Sequence, residues 1–175
     1  MNGVTKRARL LVAAGLAACL TTGIVKADPP GDPTAVSSED GKYADKDGNP
    51  TYKVDKNGKV DFYSYIGFVR YSANCLQCHG PDGLGSTYAP SLVDSLKNMN
   101  YNDVMATVAG GKKDVTPAQQ LVMPALGENK NVMCYIDAIY IYLRGRSTGA
   151  IGRGRPQDHE PKPAAFSAAE DSCMG

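Results

Sequence analysis

Apolar residues recur at helical spacing in two stretches of this chain and are scattered elsewhere. Phe62, Tyr65, Ile66 and Val69 fall at i, i+3, i+4 and i+7, one face of a helix. Asp61 stands just before them, where its carboxylate can accept from the free N–H groups of the first turn. Val132, Tyr135, Ile136, Ile139, Tyr140 and Leu143 line one face of a second predicted helix over 131–144. Between these two, Ser91 to Lys97 and Tyr101 to Val108 read as short helices. The second presents Val104, Met105 and Val108 and stops at Gly110-Gly111. Residues 112–129 follow neither period and read as a long loop. Residues 28–60 are rich in Pro, Gly, Asp and Lys and read as an irregular arm, with one small hairpin around Tyr52 to Val60. Beyond Gly145, Gly, Pro, Arg and Ser dominate, so 147–175 is expected to be a surface tail. The fold class is all-α: three to five short helices on long loops, with the body at 61–146.

The first 27 of the 175 residues are set apart from this pattern. Lys6, Arg7 and Arg9 precede the apolar run Leu10 to Ala18, and Val25-Lys26-Ala27 places small residues where a signal peptidase reads them. The run is too short to cross a bilayer, so residues 1–27 are expected to be an export signal to the periplasm. The "LAAC" at Leu16 to Cys19 also fits a lipoprotein cleavage box, which leaves a lipid anchor at Cys19 as the alternative. Removing residues 1–27 leaves 15 basic against 18 acidic residues. No basic cluster remains of the kind nucleic-acid binding requires, and that class is set aside. In the arm, "DKDGNP" has its glycine at the fourth place and no acid at the twelfth, which argues against a calcium loop.

The chemistry is concentrated in "NCLQCHGPDG", residues 74 to 83. Cys75-x-x-Cys78-His79 is the attachment pattern of c-type haem. Two thiols one turn apart can add to the two vinyl groups of a single porphyrin, and the next residue then lies under the ring with its imidazole at the iron. A thioredoxin-like pair needs a βαβ setting and no histidine. A zinc site needs a second ligand pair at close spacing, and Cys134 and His159 do not supply one. Only three Phe and no Trp serve the region from Asp61 onward, a thin core whose missing apolar volume a buried cofactor would supply. The candidates for the opposite axial ligand are Met99, Met105, Met123, Met133, His159 and Met174. Met105 and Met133 fit helix packing and His159 a solvated tail. Met123, before Pro124 in a predicted loop, is the residue expected to ligate.

These residues resemble those of the class I cytochromes c. In that family a glycine and an aromatic residue stand eight and four positions before the first haem cysteine, and Gly67 and Tyr71 match both. The family's proline carbonyl, which holds the haem histidine's other nitrogen, is matched by Pro90 in "APSL". Ile139, Tyr142 and Leu143 echo its last helix. Over nearly the whole mature chain, "STYAP", "MPALGENKNVMCYIDAIYIYLRGR" and the two extra cysteines are similar to the four-cysteine c-type cytochromes tied to methanol metabolism in methylotrophic bacteria. The resemblance implies one covalently attached haem c and no catalytic residue. It also implies one-electron transfer from a quinoprotein methanol or alcohol dehydrogenase to another cytochrome or a terminal oxidase. A haem enzyme or ligand sensor with an open sixth position is the alternative. Cys134 and Cys173 are expected to pair in an oxidising compartment, closing a loop worth on the order of 4 kcal/mol. Two free thiols, or a bridge from Cys173 to another chain, remain open.

Overall fold

The computed structural model describes residues 30–116 and 119–175; the expected export signal and Cys19 lie outside them. Its helical body is built on a crossing of two 13-residue helices, α1 (Phe62–Asn74) and α6 (Ile136–Thr148). Asp61 caps α1 as its position predicts: its carboxylate accepts from Ser64 N at 2.8 Å and Ser64 Oγ at 2.6 Å, and also from Lys53 N at 2.8 Å. Burial pushes this carboxyl above its ordinary value although all three donors pull the other way.

The crossing depends on Gly67. A Cβ placed there would lie 1.9 Å from the Ala138 carbonyl oxygen and 2.8 Å from Tyr142 Cβ. Only a residue without a side chain lets the two backbones come so near. Tyr71 and Tyr142 are fully buried at this contact, and Leu96, Val132, Ile139 and Leu143 belong to the same core. Short helices α2 (Leu76–His79), α3 (Leu92–Ser95), α4 (Tyr101–Gly110) and α5 (Lys130–Met133) are set around it. A reciprocal capping box between Asn100 and Asp103 starts α4.

Three regions differ from the periodicity reading. Residues 112–129 are not one long loop: Lys112–Thr116 and Gln119–Met123 pair antiparallel from Lys112↔Met123 to Thr116↔Gln119. Labelled β4 and β5, these strands follow β1 (Ser37–Glu39), β2 (Lys42–Ala44) and β3 (Pro50–Thr51) of a small antiparallel sheet in the arm. In β5 exposure alternates, with Leu121 and Met123 half-buried and Val122 exposed. The predicted last helix is broken at Cys134-Tyr135 and then continues to Thr148. The C-terminal stretch is no loose tail. Ala164–Met174 forms α7, whose Phe166 is buried against Phe62 and Tyr135, and Cys173 is disulfide-bonded to Cys134.

The arm is also ordered. Thr51 Oγ1 donates to Pro33 O at 2.6 Å, Val54 bridges Val60, and buried Arg144 of α6 donates to Gly31 O at 2.6 Å and Leu96 O at 3.2 Å. Among the described residues no helix is long and apolar enough to cross a membrane.

Candidate haem-attachment site

Cys75 ends α1: its N–H donates to Tyr71 O at 2.8 Å, and the chain turns at once into α2. The N–H groups of Cys78 and His79 both donate back to Cys75 O, at 3.2 and 2.9 Å, so the three residues share one tight turn. Neither Cys75 nor Cys78 is disulfide-bonded, although the chain's other described cysteines pair. Cys75 is half-buried and Cys78 exposed. Burial pushes the Cys75 thiol up to about 11, with the neighbouring Cys78 adding to the shift.

His79 is buried, and its Nδ1 lies 3.0 Å from the Pro90 carbonyl. A carbonyl only accepts, so Nδ1 carries the proton and Nε2 keeps the lone pair that an iron would take. A folded-back loop brings Pro90 into place. Gly80 has φ +72°, and a Cβ on it would strike Gly85 O at 2.2 Å. Gly85 N donates to His79 O at 2.8 Å, and Ser86 Oγ donates to Cys78 O at 2.5 Å. Tyr71 fastens the loop from below, its hydroxyl donating to Gly80 O at 2.5 Å, and burial raises that phenol.

The structure thus gathers Cys75, Cys78, His79, Pro90 and Tyr71 into one cluster. Gly67 acts one turn back along α1, at the helix crossing. Met123 comes from a different element, as the half-buried last residue of β5 and not the loop residue expected. Its rivals are engaged elsewhere: Met99, Met105 and Met133 pack on the main core, and Met174 packs on the Phe166 cluster. His159 is not a solvated tail residue. It stacks on Tyr65 with ring centroids 3.8 Å apart, and its Nδ1 lies 2.7 Å from Glu160 O.

Sequence reasoning missed the residues that shape the loop. Asp82, Ser86 and Ser91 hold it by hydrogen bonds, and the only signal was Ser91-x-x-Asp94, in which Ser91 caps α3.

The donor set fits a c-type haem. It offers two unpaired thiols on one turn, an imidazole with its outer nitrogen already engaged, and a thioether on a separate strand. The loops beside the cluster leave Leu84 at 45% and Tyr88 at 73% exposure, apolar surface that a porphyrin face can cover.

No protein-family model matches the chain. Cytochrome c-553I of Paracoccus denitrificans is 51% identical over 143 residues, 82% of this chain and 63% of that protein, so the chain spans less than two thirds of that relative. Cytochrome c-555 of Methylococcus capsulatus is 36% identical over 96 residues, 54% of this chain and 72% of that protein. The crystal structure of the c-type cytochrome XoxG from Methylobacterium extorquens AM1 superposes with a TM-score of 0.75 at 51% identity, covering 81% of this chain and 86% of that one.

Proposed function

Because the chain belongs to the class I c-type cytochromes, carrying a single covalent haem c as an electron carrier, we propose how its own residues serve that role. Cys75 and Cys78 hold the porphyrin by thioether bonds. His79 Nε2 and Met123 Sδ would ligate its iron. Pro90 fixes the imidazole, and the crossing at Gly67 with Tyr71 sets the floor of the pocket. Residues 1–27 direct export to the periplasm and are removed. Residues 28–60 form the N-terminal arm, 61–146 the haem domain, and 147–175 the disulfide-pinned C-terminal segment. The haem supplies reversible one-electron exchange at its exposed edge. With His79 and Met123 as its ligands, the iron would have no open position for a substrate, and the protein would pass electrons without catalysing a reaction of its own. A quinoprotein methanol or alcohol dehydrogenase is the donor, and another cytochrome or a terminal oxidase the acceptor. Such contacts are small and short-lived.

The observation that carries this reading is the unpaired Cys75 and Cys78 on one turn with His79, whose Nδ1 is already held by Pro90. The spectrum of the matured protein tests it. A bound thioether gives oxidised iron a weak far-red band and keeps carbon monoxide off the reduced form; carbon monoxide binding would remove Met123 from the ligand set. The donor is tested separately by stopped-flow reduction with the cognate dehydrogenase. Reduction no faster than with an unrelated dehydrogenase would remove the partner.

A further inference from the structure

Asp82 occupies a conformation that an L-residue enters at a cost. Its φ is +60°, between Gly80 at +72° and Gly83 at +75°, yet the position holds an aspartate. Its side chain is buried, and all its acceptor groups are used by one stretch of chain. Oδ1 accepts from Gly154 N at 2.8 Å and Oδ2 from Arg153 Nε at 3.0 Å, and the carbonyl accepts from Arg146 Nε at 3.4 Å. That stretch is itself fixed to α6: Ile151 N donates to Gly145 O at 3.0 Å, and Arg146 Nη1 donates to Ile151 O at 2.6 Å.

On its other side Asp82 leads straight to the histidine. The next carbonyl, Gly83 O, accepts from Ser91 Oγ at 3.4 Å. Ser91 follows Pro90, whose carbonyl receives His79 Nδ1. A continuous path of bonds therefore runs from the end of α6 through Asp82, Gly83, Ser91 and Pro90 to the imidazole.

Resting on the reading of His79 as iron ligand, we infer that Asp82 is a positioning residue: it clamps loop 80–91 to residues 146–154 and so holds the Pro90 carbonyl against His79 Nδ1. A firm Nδ1–H···O bond makes the imidazole a stronger donor to iron and favours the oxidised state. Loosening the clamp weakens that bond and raises the midpoint potential.

The test uses the matured holoprotein as wild type, Asp82→Ala, Asp82→Asn and Asp171→Asn. The readouts are exchange of the His79 Nδ1 proton by NMR in the reduced state, and the midpoint potential. Asp82→Ala should speed exchange about tenfold or more and raise the potential. Asp82→Asn keeps an oxygen for Gly154 N–H but turns an amide toward Arg153 Nε, so exchange should fall between wild type and Asp82→Ala. Asp171→Asn removes the same charge from an exposed site in α7, off the path, and should leave exchange unchanged. Exchange unaltered in Asp82→Ala, or a potential shift as large in Asp171→Asn, overturns the inference. A wild-type protein with no protected proton on His79 would instead overturn the ligation reading. If Asp82→Ala fails to mature, Arg153→Gln carries the test. Its guanidinium side chain is 71% exposed, so the fold is spared, and exchange at wild-type speed in that variant is equally fatal.

Discussion

Replacing Gly67 by alanine sets two physical effects directly against each other. In a helix interior, alanine is favoured over glycine by about 1 kcal/mol, so propensity alone makes the variant more stable. Packing says the opposite. The added Cβ would meet the Ala138 carbonyl oxygen at 1.9 Å, its carbon at 2.6 Å and Tyr142 Cβ at 2.8 Å. These are backbone and near-backbone atoms that cannot swing aside, so α1 and α6 must part by about 1 Å or more to regain normal contact near about 3.5 Å. Overpacking of a tight core costs about 1–3 kcal/mol and sometimes more, and here it also loosens Tyr71 and Tyr142. The expected net loss is about 2 kcal/mol or more after the helical gain, a fall in Tm of about 4–8 °C for a chain of this size. Thermal and urea unfolding of the holoprotein, followed by far-ultraviolet circular dichroism and haem absorbance, would measure it. Gly152→Ala is the control, because a Cβ there meets nothing within 4 Å. A Gly67→Ala protein at least as stable as wild type would show that the close approach does not matter.

Other changes should be equally readable. Cys173→Ser opens a disulfide loop with a sequence separation of 39, worth about 4 kcal/mol in the chain-entropy model, and limited proteolysis should then cut before α7 while the haem spectrum is unchanged. Arg144→Met leaves the Gly31 and Leu96 carbonyls without their donor, should cost about 2 kcal/mol, and should speed hydrogen exchange in the arm ahead of the helical body. Glu170 is held below its ordinary value by Lys162, Tyr135 and Arg70 despite opposing burial, so the stability it adds is full above the unfolded value of 4.5 and disappears as pH falls through the lower folded one. Glu170→Gln should flatten the acid limb of the stability profile below that pH, and an unchanged limb would remove Glu170 from the account.

What the chain's pattern revealed depended on how one-sided each element is. Helix α1 buries Ser64, Gly67 and Tyr71 along one face, is only partly covered elsewhere, and is capped by a side chain three residues from its partner N–H, so periodicity and Asp61 found its start. The Cys75-x-x-Cys78-His79 turn stood out because its residues carry their chemistry within five positions. Helix α6 was found but cut short: it is buried almost all round, with Arg144 and Arg146 inside, so its polar residues mimicked an end. The hairpin escaped notice because Thr116-Pro117-Ala118-Gln119 lacks a glycine-type turn signal and β4 is exposed throughout. Helix α7 has one large anchor, Phe166, among alanines, too little for a periodic signal. The order of loop 80–91 left no periodic signal because it comes from bonds to Tyr71, Cys78 and His79 and from Asp82's contacts with residues 146–154.

With Met123 as the proposed iron ligand, the hairpin makes the choice of ligand a matter of parity. Along β5, successive side chains point to opposite faces, with Val122 outward and Met123 inward. Sliding β5 by a single position along β4 would exchange the thioether for an isopropyl group and leave iron facing a residue that cannot bind it. A slip of two would restore the facing while displacing sulfur by about 7 Å. On that reading, one deletion within the paired rungs would remove the ligand without touching the methionine codon.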